Sequence, residues 1–119
     1  MQHQPLPVTT LIAGGTVYNY RFGKLDSAGD VVLAGLTDDA QYLICADAVV
    51  GGEVACRSLN AGGSGEVKTE AAITNPGAAA YIRAGGLVSE SSAGTAIKKG
   101  YFKRTAAIGE TVEVEFANI

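Results

Sequence analysis

Histidine occurs once, as His3, tryptophan not at all, and cysteine twice in 119 residues. These scarcities exclude whole classes of chemistry. Nucleophilic catalysis with an imidazole base would have to use His3, next to Pro5 and Pro7. A catalytic base needs a rigid surround, and a proline-marked terminus does not provide one. Cys45 and Cys56 are too few for a disulfide scaffold. With no CxxC spacing and a single histidine, no zinc site is expected either. The thiols sit in apolar runs, Leu43-Ile44-Cys45 and Val54-Ala55-Cys56. They read as small buried hydrophobes, with a bridge between neighbouring strands as the alternative. No stretch approaches the ~18 apolar residues of a membrane span. The first residues lack a basic region followed by an apolar one, so no signal peptide is expected, and synthesis and folding belong in a cytoplasm. The net charge is −3 and the pI about 5.0. A general nucleic-acid binder needs the opposite sign to displace counterions from phosphates.

What is abundant is glycine, 16 residues, within a chain that is 47% hydrophobic. Short apolar runs punctuated by glycine indicate β-hairpins. With aromatics at only 7%, Ala, Val, Ile and Leu must fill the core. The clearest segment is Thr111 to Phe116. Val112, Val114 and Phe116 alternate with Thr111, Glu113 and Glu115, which is a strand with one dry face. The stretch Thr74 to Phe116 reads as a small sheet onto which the first half of the chain folds back.

Other strands are expected at Thr16 to Phe22, Val31 to Ala34, Tyr42 to Ala46 and Glu53 to Leu59. The first carries Tyr18, Tyr20 and Phe22 at alternate positions, an aromatic stripe for a core or a subunit interface. Asp26 to Asp30 and Asn75-Pro76-Gly77 are turns. Thr37 to Gln41 is a loop, with one capped helical turn as the alternative, and Asp38-Asp39 reads as solvated. Asn60 to Gly65 is the most flexible composition. It lacks the Gly-Lys-[Ser/Thr] ending of a phosphate cradle. The expected fold class is all-β: a small β-barrel or β-sandwich of short hairpin strands. Residues 1–15 form an extended arm and residues 16–119 one β domain. One short internal echo is present: Gly51-Gly52-Glu53-Val54-Ala55-Cys56 resembles Gly109-Glu110-Thr111-Val112-Glu113-Val114.

No spacing selects a pair among the twelve acids, so no catalytic, cofactor or metal residue is assigned and no enzyme is expected. The segment Lys98-Lys99-Gly100-Tyr101-Phe102-Lys103-Arg104 holds four of the nine cations. It reads as an edge strand kept soluble by lysine, as a docking patch for an acidic protein surface, or as a base-stacking grip on nucleic acid. The acidic balance of the whole chain disfavours the third.

Two groups of segments then carry a resemblance. The first is Gly29-Asp30-Val31-Val32 with Ala48-Val49-Val50-Gly51-Gly52-Glu53-Val54-Ala55. The second is Ala80 to Val88, Ala96-Ile97 and Ala106 to Val114. Over residues 29 to 116 this pattern of turns and small residues resembles the capsid cement, or head decoration, proteins of tailed phages. It departs from them at Ile97-Lys98-Lys99-Gly100, where two lysines are inserted, and in the unmatched arm. The resemblance implies a small β protein on the outer surface of an assembled head, made in the host cytoplasm. Its partner would be the major capsid protein and its state a homotrimer, with no membrane and no cofactor. Contact residues expected on this reading are Pro5, Pro7, Val8, Leu11 and Ile12 in the arm, with Lys98, Lys99, Tyr101, Lys103 and Arg104 in the basic segment. The competing reading is a carbohydrate- or receptor-binding β module of a fibre or adhesin. It requires exposed rings among Tyr18, Tyr20, Tyr42, Tyr81 and Tyr101.

Overall fold

The computed structural model describes residues 8–59 and 63–117. Among these residues, glycine-bounded runs rich in valine and isoleucine form ten strands: β1 (Val8–Ile12), β2 (Arg21–Leu25), β3 (Val31–Leu33), β4 (Tyr42–Ile44), β5 (Glu53–Ser58), β6 (Ser64–Lys68), β7 (Ala79–Arg83), β8 (Leu87–Ser89), β9 (Lys98–Phe102) and β10 (Thr111–Phe116). They make two five-stranded sheets, in the orders β1-β5-β4-β2-β3 and β6-β10-β9-β7-β8. All named strand pairs are antiparallel. Each sheet curls until its two edges touch through one parallel bridge, Ala13 to Val31 in the first and Thr69 to Val88 in the second. The all-β class and the barrel-like form are therefore as expected.

The two orders are the same order. Laying β1 to β5 on β6 to β10 reproduces the register as well, apart from one shift in the β7–β9 pair between Ala80 and Tyr81. Val8 pairs with Arg57 and Ile12 with Glu53 in the first sheet. Their counterparts Glu115 with Ser64 and Thr111 with Lys68 pair in the second. The connecting hydrogen bonds repeat too. Val17 and Ala48 exchange both backbone bonds, as do Ile73 and Ala106. Ala13 N–H donates to Gly52 O, and Thr69 N–H donates to Glu110 O. The chain is thus two tandem copies of one five-stranded unit. The short echo seen in the sequence is a matched pair of segments within it.

The cores match at five central positions. Inside the first unit lie Val17, Val31, Ile44, Val54 and Cys56. Their counterparts in the second are Ile73, Val88, Phe102, Val112 and Val114. What distinguishes the units is how they meet. Phe22 and Leu43, on the outer face of the first sheet, belong to the core of the second unit. The Phe22 ring stands edge-on to Phe116 with centroids 6.0 Å apart. Gly65 leaves room for Leu43, because a Cβ there would lie 2.7 Å from its Cδ2. Each of these two buried side chains contributes about 1.5–3 kcal/mol of hydrophobic stabilisation. The first unit therefore keeps a core of its own and lends Phe22 and Leu43 to the core of the second.

Several segments differ from expectation for physical reasons. Val8–Ile12, expected within an arm, is strand β1 on β5; Val8, Thr9, Thr10 and Ile12 are β-branched and suit a ladder. Residues 1–7, including Pro5 and Pro7, lie outside the described residues. Thr16 to Phe22 is not one strand. The backbone turns at Tyr20, which has a positive φ of 64°, and β2 begins at Arg21. Asn19 Oδ1 accepts the Tyr20 N–H at 2.8 Å and fixes that turn. The aromatic stripe therefore splits: Phe22 is buried, while Tyr18 and Tyr20 are exposed. The basic segment is not an edge, because β9 is the middle strand of its sheet. Residues 60–62 of the glycine-rich stretch fall outside the described residues, and Ser64 and Gly65 open β6. Cys45 and Cys56 are free thiols. Ile44 pairs with Cys56 across the ladder; Cys45, one position on, projects to the opposite face, so the two sulfurs are not placed to bridge.

Candidate interaction surfaces

Strand β1 carries three of the expected contact residues. Val8 is 61% exposed and Ile12 41%, whereas Leu11 packs against the core of the first unit. One side of β1 is bonded to β5. Because Ala13 N–H points to Gly52 O on that side, the alternation of an antiparallel strand turns the Ile12 N–H outward. Its counterpart in the second unit, Lys68, donates its N–H to Tyr20 O at 2.8 Å. The first unit thus caps the edge of the second, while among the described residues the Ile12 N–H has no such partner.

The basic segment is largely neutralised. Lys99 is paired with Asp39 of the first unit, with its own side chain only 14% exposed. Lys103 lies 3.6 Å from Glu113 and Arg104 2.8 Å from Glu66. Such exposed pairs are worth under about 1 kcal/mol each, but they remove the free positive charge that a phosphate backbone would need. Lys98 has no carboxylate partner among the described residues. Its Nζ lies 5.1 Å from the Tyr101 ring centroid and donates to the phenol oxygen at 3.2 Å. Lys98 and Tyr101 therefore form one small cationic and aromatic feature on the second sheet. The described members of the two groups of expected contact residues occupy different sheets.

A third surface was not legible as a site. Val49 and Val50 are 69% and 68% exposed, and Ile108 is 70% exposed. They occupy matching turns before Gly51 and Gly109, both at positive φ. Isolated exposed valines mean little. The same apolar tip on both units is a repeated feature, and the repeat itself was the signal.

A fourth surface is the corner at Tyr18 and Tyr20. The Arg21 guanidinium lies 5.2 Å from the Tyr18 ring centroid and donates to Gly85 O at 2.9 Å. Asp47 Oδ1 accepts the Asn19 N–H at 2.7 Å. Beside this corner, Thr16, Val17, Tyr18, Asp47, Ala48 and Val49 line an open depression of about 320 Å³. Tyr42 and Tyr81 are half-buried.

The reactive groups are subdued. Burial pushes the Cys56 thiol up to about 11, with the neighbouring Cys45 adding to the effect. Burial also raises Cys45. Asp38 is held below the usual carboxylate value, first by the Gly35 N–H and then by Lys24, 3.0 Å away. Among the described residues no cluster of three or more His, Cys, Asp or Glu side chains could hold a metal. Among them too, no helix is long and apolar enough to cross a membrane.

No family model matches the sequence, and no curated protein matches it. Among solved structures the chain is similar to the head fiber gp8.5 N base of bacteriophage phi29. The TM-score is 0.74 with 17% identity, and the match covers 95% of each chain. At that identity the likeness is one of fold, and it spans both five-stranded units.

Proposed function

We propose that this chain is a structural protein of a phage virion, seated on the outside of the head and acting as cement or decoration. The observation that carries the reading is the shared fold, over 95% of both chains, with a head fiber base of bacteriophage phi29. The resemblance of residues 29 to 116 to capsid cement proteins points the same way from sequence. On this reading the partner is the major capsid protein, and the protein works as a homotrimer on the virion surface, without catalysis.

The physical task suits the molecule. One small domain offers on the order of 800 Å² per partner, and several linked copies multiply that grip by avidity. Two units with matching apolar tips, Val49-Val50 and Ala107-Ile108, let each copy make two like contacts. Aliphatic tips bury apolar area without desolvating a charge. Purified heads lacking the protein provide the test. The chain should pellet with them to a saturable ratio and raise their resistance to heat or to loss of salt.

A second reading has one observation in its favour. Tyr18 and Tyr20 are 45% and 44% exposed and stand beside Asn19 and Asp47. Exposed rings next to polar side chains suit the stacking of a sugar. Glycan-array binding that is lost in Tyr18→Ala, with head binding absent, would select this alternative.

A further inference from the structure

The contact between the two units has two unlike sides. The first unit offers a corner: Tyr20 C=O, Phe22 and Leu43. The second offers a socket: the Lys68 N–H, Gly65 and Phe116. Because the units share one architecture, each of these surfaces has a counterpart elsewhere in the chain. The corner recurs on the second unit as Gly77, Ala79 and Tyr101. The socket recurs on the first as Ile12, Thr9 and Ser58. Gly77, Tyr101, Thr9 and Ile12 are exposed, and Ala79 and Ser58 half-buried. The corner's backbone is preserved. Tyr20 N–H donates to Ile44 O at 3.0 Å and Gly77 N–H donates to Phe102 O at 2.7 Å, and both residues have positive φ.

We infer that copies of this chain join head to tail by repeating their own internal contact: the corner at Gly77, Ala79 and Tyr101 of one copy seats on the β1 edge at Thr9 and Ile12 of the next. The occupant is a second copy because the same chain already shows a like surface covered in this way. Gly77 C=O would accept the outward Ile12 N–H, as Tyr20 C=O accepts from Lys68. An uncapped strand edge is a template for pairing. Side-chain bulk is redistributed. What Ala79 and Ser58 lose relative to Phe22 and Phe116, Tyr101 and Thr9 regain relative to Leu43 and Gly65. One charge pair is complementary, although Glu115 also stands opposite Tyr101. Lys98 accompanies Tyr101, while Glu53 lies opposite Ile12 in the β1–β5 ladder and forms no salt bridge among the described residues. The surfaces are different, so association is heterologous and closes as a ring or extends as a filament. A ring of three copies would realise the homotrimer proposed above. The inference rests on the fold alone, so copies can associate even if heads fail to bind.

Sedimentation velocity on four proteins tests it: the wild type, Thr9→Arg, Tyr101→Glu, and the chain carrying both substitutions. Thr9→Arg places a cation against Lys98, and Tyr101→Glu places an anion against Glu53. The wild type should associate, and each single variant should weaken association at least about 30-fold, the loss of one hot spot. The double variant should recover association, because each interface then holds an opposite pair. Both positions are exposed, and circular dichroism checks that the variants fold. Should one fail to fold, Thr9→Cys and Tyr101→Cys proteins, each also carrying Cys45→Ser and Cys56→Val, mixed under oxidation should form an intermolecular disulfide that neither forms alone. A monomeric wild type, a single variant that associates normally, or a folded double variant that stays monomeric would each overturn the inference.

Discussion

Gly29 and Gly86 occupy the same turn in the two units, with φ of +84° and +76°. Replacing either by alanine costs about 1–2 kcal/mol for an L side chain in the left-handed region. Their surroundings differ. A Cβ on Gly29 meets nothing within 4 Å, whereas one on Gly86 collides with Phe22 O and lies 3.0 Å from Phe22 N and 3.1 Å from Arg21 Cβ. That second site is the seam between the units. Backbone cannot step aside as a side-chain end can, so overpacking adds about 1–3 kcal/mol. Gly29→Ala should therefore lower stability by about 1–2 kcal/mol and Gly86→Ala by about 2–5 kcal/mol. At roughly 4 °C per kcal/mol for a chain of this size, Tm falls by about 4–8 °C and about 8–20 °C respectively. Thermal melts with matching urea curves measure both. Each glycine controls for the conformational cost at the other, so the difference reports the seam. Equal losses would refute the claim that the two units are locked backbone to backbone at Gly86.

Further expectations follow from other parts of the fold. Val50→Asp and Ile108→Asp should each reduce head binding by tenfold or more while leaving Tm within about 2 °C, since neither tip packs on the core; a large fall in Tm would show the tips to be structural. Thiol reagent at pH 7.5 should leave Cys56 unmodified in the native protein and react on unfolding, because a thiol titrating near 11 is protonated there. Cys56→Val copies the counterpart Val114 and should change stability by less than about 1.5 kcal/mol. The Asp38 carboxyl should titrate below its ordinary value of 3.8. Its folded-state value is lowered, so its stabilising effect is complete above the unfolded value and lost as pH falls through the folded one. Lys24→Met should raise the midpoint only partway, because the Gly35 N–H is the larger cause; a full return to 3.8, followed by NMR, would reverse that ranking.

Much of the fold was legible where period and punctuation agree. Thr111–Phe116 forms the strand that its alternation predicts, and Glu53–Ser58 and Val31–Leu33 fall within a residue of expectation. Tyr20 was not legible, because its turn is held by Asn19 and by Ile44 from a distant strand. The central place of β9 was hidden for a similar reason. Lysine content marks edges only on average, and Lys99 is instead committed to Asp39 across the unit seam. The duplication surfaced in sequence only at Gly51 to Cys56. Elsewhere counterparts keep burial and lose identity, as with Ile44 and Phe102 or Val17 and Ile73. Packing constrains apolar volume more than residue type. The candidate surfaces were the least legible, since exposure and edge capping depend on which unit covers which. Three of the four basic residues in the segment turn out to be paired, and the apolar tips gained meaning only as a matched pair.

The most direct measurement is cosedimentation of the purified protein with heads that lack it, through a sucrose cushion. The protein should pellet with heads in a saturable ratio, remain in the supernatant without them, and be released when both tips carry aspartate. Protein that stays in the supernatant at every ratio of heads would contradict the proposed role on the head.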